Sequence, residues 1–439
     1  MSKISSCLES QYPPARRGDD SMRISMISAA ASPLAAIEGL DACGRSVHVA
    51  ALSTALARRG HHVTVYTRRD APGLPERVEI SPRFELVHLT AGPTEQLPED
   101  ELLTHMADLA DGLAQDWLRS KPDIVHSQFW MSGVAAIDSA RRIDAPRDIP
   151  VAQTFHGLGV VSHPNGDSSD TSTPDREWLE PWVARNADSV IGTCSDEAFE
   201  LKSLGVPTGA ISVVPCGVDL RRFGTRGEIE ERARPLRLVT VGRLEPSKGF
   251  DLVIQAFAQL VEKGVDAELV IVGGTVGTHA GDGDPAIAML RTLAHELGVV
   301  DRVDLRGPLE HASMPAILRS ADAVICAPRH ETSGIVALEA MACGIPILAN
   351  GVGSLVDIVI DGVTGIHVPP RDAEAIATAL SCLLADPERM ASLGVAGSRR
   401  VAARFTWEQV AINTERAYRK TARQAKDRIT ARSSEGATR

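Results

Sequence analysis

Short apolar runs alternate with amphipathic stretches of roughly ten to fifteen residues along most of the chain, beginning at Met22. This alternation is typical of the α/β class, in which a parallel sheet carries helices on both faces. In the first half it predicts strands at 23–28, 62–67, 84–89, 123–127, 150–155, 188–192 and 211–214. Helices are predicted between them at 46–59, 99–119, 133–142, 175–187 and 195–204.

The alternation is interrupted at 219–236, where the charged, glycine-broken sequence has no periodicity and predicts a linker. It restarts with predicted strands at 237–242, 268–272, 302–306, 322–326, 345–349 and 365–368, and helices continue to about 420. We therefore expect two Rossmann-like domains that face each other across a cleft, at 22–218 and 237–420, with a last helix that is free to return to the first domain. Residues 1–21 are expected to be a disordered tail, and the polar residues 421–439 are expected to be a second tail that frays.

Charge and cysteine content narrow the possible functions. The 439 residues include 46 basic and 57 acidic side chains, giving a net charge of −11, which repels a nucleic-acid backbone and an anionic membrane surface. Only seven of the basic residues are lysines, so each lysine is a candidate for a specific role. The seven cysteines form no CxxC pair, and no apolar segment is long enough to span a bilayer. We expect a reduced, cytoplasmic protein with no structural zinc, no nucleic-acid partner and no stable membrane insertion.

The segment 328–345, PRHETSGIVALEAMACGI, carries the strongest candidate chemistry. A predicted strand runs into a loop with Glu331, a helix opens after it, and Glu339 follows eight residues after Glu331. The first N–H groups of that helix and the positive end of its dipole favour a diphosphate. One carboxylate can then accept hydrogen bonds from a sugar and the other from a ribose. The alternative is a solvated loop residue and a surface helix residue. The candidate donor-binding residues here are Ser333, Gly334, Ile335, Val336 and Glu339.

A second candidate site lies at 241–249, VGRLEPSKG, directly after the first strand of the second half. Arg243 and Lys248 stand five residues apart across a turn, and strand carboxyl ends in such sheets are where ligands bind. Two cations there suit a diphosphate. The alternative is that both are solvated side chains on a turn.

Weaker signals occur in the first half of the chain. Gly44, with Ser46 as a helix N-cap, can bring backbone N–H groups to an anion, although a purely structural turn explains the same residues. Two strands end in His126 and His156, each of which is either a site residue or a structural histidine. Neither GxGxxG nor GxxxxGK[ST] is present. The pair Asp282 and Asp284 has a metal-like spacing but no third ligand nearby, so we expect a solvated loop and no metal.

Together these segments resemble a known family. DACGRSVHVAALSTALARRGHHVTVYT, HSQFWMSG, TFHGLG, ISVVPCGVDLRRF, VGRLEPSKGFDLVIQAF and ETSGIVALE are similar to motifs of the retaining family-4 glycosyltransferases of the GT-B fold. The resemblance extends from about Met22 to Arg419. Its first-domain motifs resemble the branch that includes sucrose-phosphate synthases and inositol-phosphate N-acetylglucosaminyltransferases.

The resemblance implies that the first domain binds the acceptor and the second binds the nucleotide sugar. The reaction would be retaining transfer of a hexosyl group from a nucleoside-diphosphate sugar to a small hydroxylated acceptor, such as a sugar or cyclitol, with no metal or other cofactor. Arg243 and Lys248 would hold the diphosphate, Glu339 the ribose and Glu331 the sugar hydroxyls, with His156 beside the sugar and Gly44 near the phosphates. The acceptor side would include Ser46, His126, Phe129 and Thr154.

Three departures from the family pattern are visible. Thr332-Ser333 replaces the usual Pro-Phe between Glu331 and Gly334, and Cys43 replaces the first glycine of a Gly-Gly pair. Where the inositol-phosphate branch has a lysine and a tyrosine for the acceptor phosphate, this chain has Glu99 and Phe129.

These last replacements predict a neutral or cationic acceptor, unless 95–101 is only the solvated start of the helix predicted at 99–119. A catalytically silent sugar-nucleotide-binding protein and a nucleotide-sugar 2-epimerase are the competing functions. The sequence leaves the oligomeric state open, and a homodimer is among the states it allows.

Overall fold

The computed structural model describes residues 21–38, 44–143, 149–159, 174–275 and 283–436. The first half forms an eight-stranded sheet in the order β3-β4-β2-β1-β5-β6-β7-β8. Its strands are β1 (Arg23–Ile27), β2 (His62–Arg68), β3 (Arg77–Ser81), β4 (Phe84–Leu89), β5 (Ile124–Gln128), β6 (Val151–Thr154), β7 (Ser189–Gly192) and β8 (Ile211–Val213). Its helices are α1 (Pro33–Glu38), α2 (Gly44–Arg58), α3 (Met106–Arg119), α4 (Trp130–Ile143), α5 (Arg176–Asn186) and α6 (Ser195–Ser203).

The second half forms a separate six-stranded sheet in the order β11-β10-β9-β12-β13-β14. Its strands are β9 (Leu236–Val241), β10 (Ala267–Val272), β11 (Val303–Leu305), β12 (Ala323–Cys326), β13 (Ile347–Asn350) and β14 (Gly365–Val368). Its helices are α7 (Phe250–Glu262), α8 (Pro285–Glu296), α9 (Met314–Arg319), α10 (Ile335–Ala342), α11 (Ser354–Ile358), α12 (Ala373–Leu384) and α13 (Pro387–Arg404). A long final helix, α14 (Trp407–Gly436), completes the chain.

Every pairing between the described strands is parallel except that of β3 with β4. Central strands such as β5 and β10 are buried on both faces, because helices cover both sides of each sheet. The prediction of two Rossmann-like α/β domains is therefore confirmed. β3 was not predicted, because this short edge strand is largely exposed and its two apolar residues give little periodic signal.

The helix predicted at 99–119 begins later than expected. Residues 99–101 form a turn, Leu102–His105 is a short 3-10 helix, and the α-helix proper begins at Met106. The acidic residues at 99–101 therefore precede the helix instead of occupying its first turn. The dipole of α3 does not explain them.

The predicted linker is tied closely to the second domain. Residues 219–235, all within a described range, lie outside helices and strands, and β9 begins at Leu236. Glu230 accepts ion-pair contacts from Arg237 at 2.8 Å and from Arg306 at 2.7 Å. The charged residues on which the linker prediction was based therefore form ion pairs that hold this segment against the second sheet.

The final helix α14 returns to the first domain. The buried residues in its described part recur every three or four positions and so lie on one face of the helix: Val410, Ala411, Thr414, Ala417, Tyr418, Thr421 and Ala425. Thr421 and Ser189 of β7 share a hydrogen bond of 2.6 Å between their hydroxyls. The prediction of a fraying tail from 421 is therefore wrong up to Gly436. The buried face of this helix was not evident in the sequence, because most of its residues are small or polar.

Within the described ranges, no helix is both long enough and apolar enough to cross a bilayer.

Candidate functional site

The two domains meet through the predicted site segments. A Cβ placed on Gly44, at the start of α2, would lie 3.8 Å from Ile335 Cδ1 at the start of α10. A Cβ on Gly157, after β6, would lie 3.2 Å from Thr332 Cγ2. The structure thus brings the first-domain turns against the loop that opens α10, as expected for a site between two sheets.

Lys248 and Glu331 form the central ion pair of this cleft. Lys248 Nζ donates to Glu331 Oε2 at 2.7 Å, and both side chains are largely shielded from solvent. Glu331 Oε1 also accepts from the backbone N–H groups of Ser333 and Gly334, each at 3.2 Å. Burial alone would raise the pKa of Glu331, but the Lys248 charge and these hydrogen bonds outweigh it and lower the pKa. Glu331 is therefore an ionised carboxylate held in place before any ligand binds.

Glycines fix the loop that carries Glu331. Gly334 has φ 62° and precedes α10, and a Cβ there would lie 2.3 Å from Ile358 Cδ1. Gly353 approaches so closely that a Cβ would lie 1.9 Å from Glu331 O. A side chain at either position would push the loop away, so both glycines are needed for this geometry.

Lys248 reaches Glu331 because its turn packs on the end of β12. Gly249, with φ 71°, follows the 3-10 turn Pro246–Lys248, and a Cβ on it would lie 2.1 Å from Ala327 O. Arg243 is placed differently: its side chain is 60% exposed and its Nη1 lies 2.7 Å from Glu245 Oε1. The structure therefore joins Lys248, but not Arg243, directly to the Glu331 loop.

Glu339 is buried on α10 and bonded to a residue that the sequence did not single out. His311 Nε2 donates to Glu339 Oε1 at 2.7 Å, and Arg222 Nη1 donates to His311 Nδ1 at 2.7 Å. Burial raises the pKa of Glu339, and the His311 contact offsets part of that rise. Arg222 and His311 come from the linker and from the loop after β11, so no local pattern in the sequence could connect them to Glu339.

His126 and Thr154 lie inside the first domain instead of lining the cleft. The two nitrogens of His126 contact Tyr418 Oη at 2.7 Å and Thr154 Oγ1 at 2.9 Å. Burial, together with the charge of nearby His48, lowers the pKa of His126 to about 3. This geometry favours the structural alternative, in which His126 and Thr154 attach α14 to the first sheet.

His156 stands at the end of β6 with φ 61°, a strained conformation for a non-glycine residue. Its Nε2 donates to Gln128 Oε1 at 2.6 Å, and its ring lies 4.9 Å from that of His48 in an edge-on contact. Burial and the neighbouring charges lower the pKa of His156 well below its usual value. The ring is neutral, with its proton on Nε2. Ser46, two residues before His48 on α2, is buried.

Phe129 also adopts a positive φ, 71°, directly after β5. The guanidinium carbon of Arg45 lies 4.3 Å from the centre of its ring, and that of Arg176 lies 5.4 Å away. Neither arginine was identified from the sequence. The only signal was their nearness in the chain to Gly44 and to the predicted helix at 175–187.

No metal site is found in the described part of the chain, where no three His, Cys, Asp or Glu side chains are grouped suitably. Asp284 accepts hydrogen bonds from Thr275 N, Thr275 Oγ1 and Ala286 N, and it caps α8. Asp282 and Cys43 lie outside the described residues.

Comparison with known proteins agrees with this architecture. Residues 43–222 match the family described as Glycosyltransferase Family 4, and residues 224–400 match Glycosyl transferases group 1. A D-inositol 3-phosphate glycosyltransferase of Xylanimonas cellulosilytica is 35% identical over 91% of this chain and 96% of its own length. The D-inositol 3-phosphate glycosyltransferase of Actinosynnema mirum is 34% identical, over 90% and 96% respectively.

Solved structures give the same result. A sucrose-phosphate synthase from Thermosynechococcus elongatus superposes with a TM-score of 0.78 and 29% identity, covering 91% of this chain and 98% of its own. Anabaena HepE in complex with UDP-glucose has a TM-score of 0.66 at 17% identity, covering 93% and 100%, and this likeness shows the fold alone. The chain therefore belongs to the two-domain GT-B glycosyltransferases of family 4 and group 1, and it is a glycosyltransferase.

Proposed function

We propose that this protein is a retaining glycosyltransferase that transfers a hexosyl group from a nucleoside-diphosphate sugar to a small hydroxylated acceptor. The observation that carries the proposal is the Lys248–Glu331 ion pair, 2.7 Å long, beside the N-terminus of α10. A cation, a fixed carboxylate and a helix N-terminus in one cleft suit a diphosphate attached to a sugar.

The donor is assigned to three groups of contacts. The diphosphate faces the N–H groups of Ile335 and Val336, which have no partner within the helix, and takes its counter-charge from Lys248 and Arg243. Glu339 uses one oxygen for His311, and its other oxygen accepts from a ribose hydroxyl. Glu331 accepts from the hydroxyls of the sugar.

The chemistry asks mainly for electrostatic stabilisation. The bond between the anomeric carbon and the phosphate oxygen breaks, a bond from that carbon to the acceptor oxygen forms on the same face, and a departing phosphate oxygen takes the acceptor proton. Charge grows on the leaving diphosphate, where Lys248 and the α10 N-terminus stabilise it. No protein base is required, which agrees with the lowered pKa of His156, because an imidazole that resists protonation is a poor base. His156 then orients the sugar without exchanging a proton.

The proposal includes no metal and no other cofactor, since the two cations supply the charge that a divalent ion would provide. A cytoplasmic location remains part of the proposal. It is supported by the described cysteines, Cys194, Cys216, Cys326, Cys343 and Cys382, which are all free thiols.

Incubation of the purified protein with a panel of nucleoside-diphosphate sugars and hydroxylated acceptors tests the proposal. We expect a transferred sugar with the anomeric configuration of the donor, read from the anomeric proton coupling by NMR. An inverted product contradicts the retaining mechanism. Binding without turnover indicates a silent sugar-nucleotide-binding protein, and a donor changed at C2 indicates an epimerase.

A further inference from the structure

Arg45, Phe129 and Arg176 form a wall of the cleft on the side of the first domain, which we call the acceptor wall. Arg45 follows Gly44, which faces Ile335 across the cleft. The Phe129 N–H donates to Thr154 O at 2.8 Å, which places Phe129 beside the end of β6, two residues before His156. Arg45 is also close enough to His156 for its charge to contribute to that residue's lowered pKa. The wall therefore lies on the first-domain side of the cleft, where the family resemblance places the acceptor.

Each arginine of the acceptor wall is matched by a carboxylate. Arg45 donates two hydrogen bonds to Glu99, from Nη1 to Oε1 at 3.3 Å and from Nη2 to Oε2 at 3.0 Å. Arg176 Nη2 lies 3.1 Å from Glu180 Oε1, and the same nitrogen donates to Gly157 O at 2.9 Å. These two arginines and two glutamates sum to zero formal charge. Both guanidinium groups are already engaged in ion pairs within the protein.

The two ion pairs differ in how far their carboxylates are exposed to solvent. Glu180 is 2% exposed and also accepts from Gly159 N at 2.6 Å, so Arg176 and Glu180 are part of the scaffold that shapes the strand end. The Glu99 side chain is 46% exposed and that of Arg45 is 27% exposed. Of the two carboxylates, Glu99 is thus the one that lies at the open rim of the wall.

The position of Glu99 has a tertiary cause. It lies in the turn before the 3-10 helix Leu102–His105, which leads into α3, and its carboxylate binds Arg45 instead of an N–H group at the start of that helix. Its partner Arg45 is 54 residues away in the sequence. The pairing therefore exists because the start of α2 and the segment before α3 meet beside Phe129.

We propose that the Arg45–Glu99 pair selects an acceptor that carries no phosphate, such as a free cyclitol or sugar. The inference rests on the proposed function and specifies the acceptor of the same site. A phosphate at the acceptor wall either competes with Glu99 for Arg45 or lies beside the Glu99 carboxylate, whereas a neutral hydroxylated acceptor leaves the pair intact. Glu99 is thus a specificity-determining residue that acts through Arg45.

The test uses acceptor pairs that differ only in a phosphate, myo-inositol against inositol phosphate and glucose against glucose 6-phosphate. For the unchanged protein we expect kcat/KM at least tenfold higher with the unphosphorylated member of a pair. Glu99→Gln removes the charge, keeps the size and releases Arg45. We expect this variant to gain at least tenfold in relative kcat/KM for the phosphorylated member.

Glu101→Gln is the matched control, because it makes the same charge change on an exposed side chain two residues away. It should leave the acceptor ratio unchanged. Preference of the unchanged protein for a phosphorylated acceptor overturns the inference, and so does an equal effect of the two variants.

Donor hydrolysis and nucleoside-diphosphate affinity distinguish this failure from failure of the proposed function. Both should change much less than the acceptor ratio in Glu99→Gln, because the described side-chain bonds of Glu99 are to Arg45 and not to a residue assigned to the donor. If no sugar is transferred at all, the proposed function is wrong. Calorimetric binding of the same acceptor pairs then still decides the role of Glu99: equal binding of both members contradicts it.

Discussion

Lys248 Nζ and Glu331 Oε2 lie 2.7 Å apart and join two loops that are separated by 83 residues of sequence. Each group is the nearest counter-charge of the other before a donor is bound. An incoming diphosphate competes with Glu331 for Lys248. An incoming sugar brings hydroxyl groups that can donate hydrogen bonds to Glu331. Donor binding is therefore expected to exchange one internal ion pair for contacts with both halves of the ligand.

Replacement of Lys248 by alanine should abolish most transfer. It removes a charge-assisted contact to the leaving diphosphate of about 1.5–3 kcal/mol, which corresponds to roughly 10- to 150-fold in affinity. The loss in kcat should be at least as large, because charge develops on the diphosphate in the transition state. Steady-state kinetics and calorimetry with the nucleoside diphosphate measure the two effects. Near-normal kcat/KM in this variant would show that the phosphate site has been assigned wrongly.

Arg243→Ala should also remove most transfer while leaving stability unchanged, because its side chain is 60% exposed. Glu245→Gln is the matched control: it removes the partner of Arg243 and should leave transfer intact or improve it. If Arg243→Ala behaves like the control, Arg243 does not contact the diphosphate.

The two glutamates should separate donor affinity from sugar transfer. Glu339→Gln should weaken binding of the bare nucleoside diphosphate, and His311→Ala should do so to a smaller extent, because His311 orients the buried carboxylate. Glu331→Gln should leave that affinity nearly intact and slow transfer. Calorimetry with the bare nucleotide and kinetics with the full donor supply the comparison. Equal losses of nucleotide affinity in Glu331→Gln and Glu339→Gln contradict the division of roles.

Transfer should persist in the presence of EDTA, because Lys248 and Arg243 supply the cationic charge at the diphosphate. The measurement is the rate of nucleoside-diphosphate release before and after chelation, with added Mg²⁺ or Mn²⁺ as the control. Complete loss on chelation, restored by either ion, would require a metal at the diphosphate and would make Asp282 and Asp284 candidates for its ligands.

Glu415 on α14 should make stability depend on acidity. Partial burial raises its pKa, but contacts with Arg419, Arg59 and His61 lower it further, to about 2. Because the folded pKa lies below the ordinary value of 4.5, this stabilisation is complete above pH 4.5 and is lost as the pH falls towards 2. Its size is on the order of 2–3 kcal/mol at neutral pH.

Denaturant unfolding of Glu415→Gln between pH 7 and pH 3 tests this dependence. The difference from the unchanged protein should be largest at pH 7 and should shrink below pH 4.5. Asp427→Asn, an exposed change on the same helix, should shift stability by less than about 0.5 kcal/mol. A difference that is constant across the pH range would mean that the ionised form of Glu415 is not what stabilises α14.

The two-sheet α/β architecture and the segments of the candidate site could be predicted from the sequence. Strands buried on both faces leave continuous apolar runs, as in Leu269–Val272 of β10, and this signal is local. Glu331, Glu339 and Lys248 could be found because each lies at a fixed distance from a strand end or a helix start. The exposed edge strand β3 and the small-residue stripe of α14 were missed, because burial there depends on neighbours and not on local apolarity.

The tertiary fold sets which charged and polar groups meet, and local sequence patterns do not show these contacts. His311 was joined to Glu339 across 28 residues, Arg45 to Glu99 across 54 and Arg59 to Glu415 across 356. The same packing directs His126 towards Tyr418 inside the first domain and leaves Arg243 at the surface beside Glu245. Hydrophobic periodicity reports which face of an element is buried, but a hydrogen bond needs two atoms within about 3 Å. That separation is set by how the helices and the two sheets pack together, which no single segment of the sequence specifies.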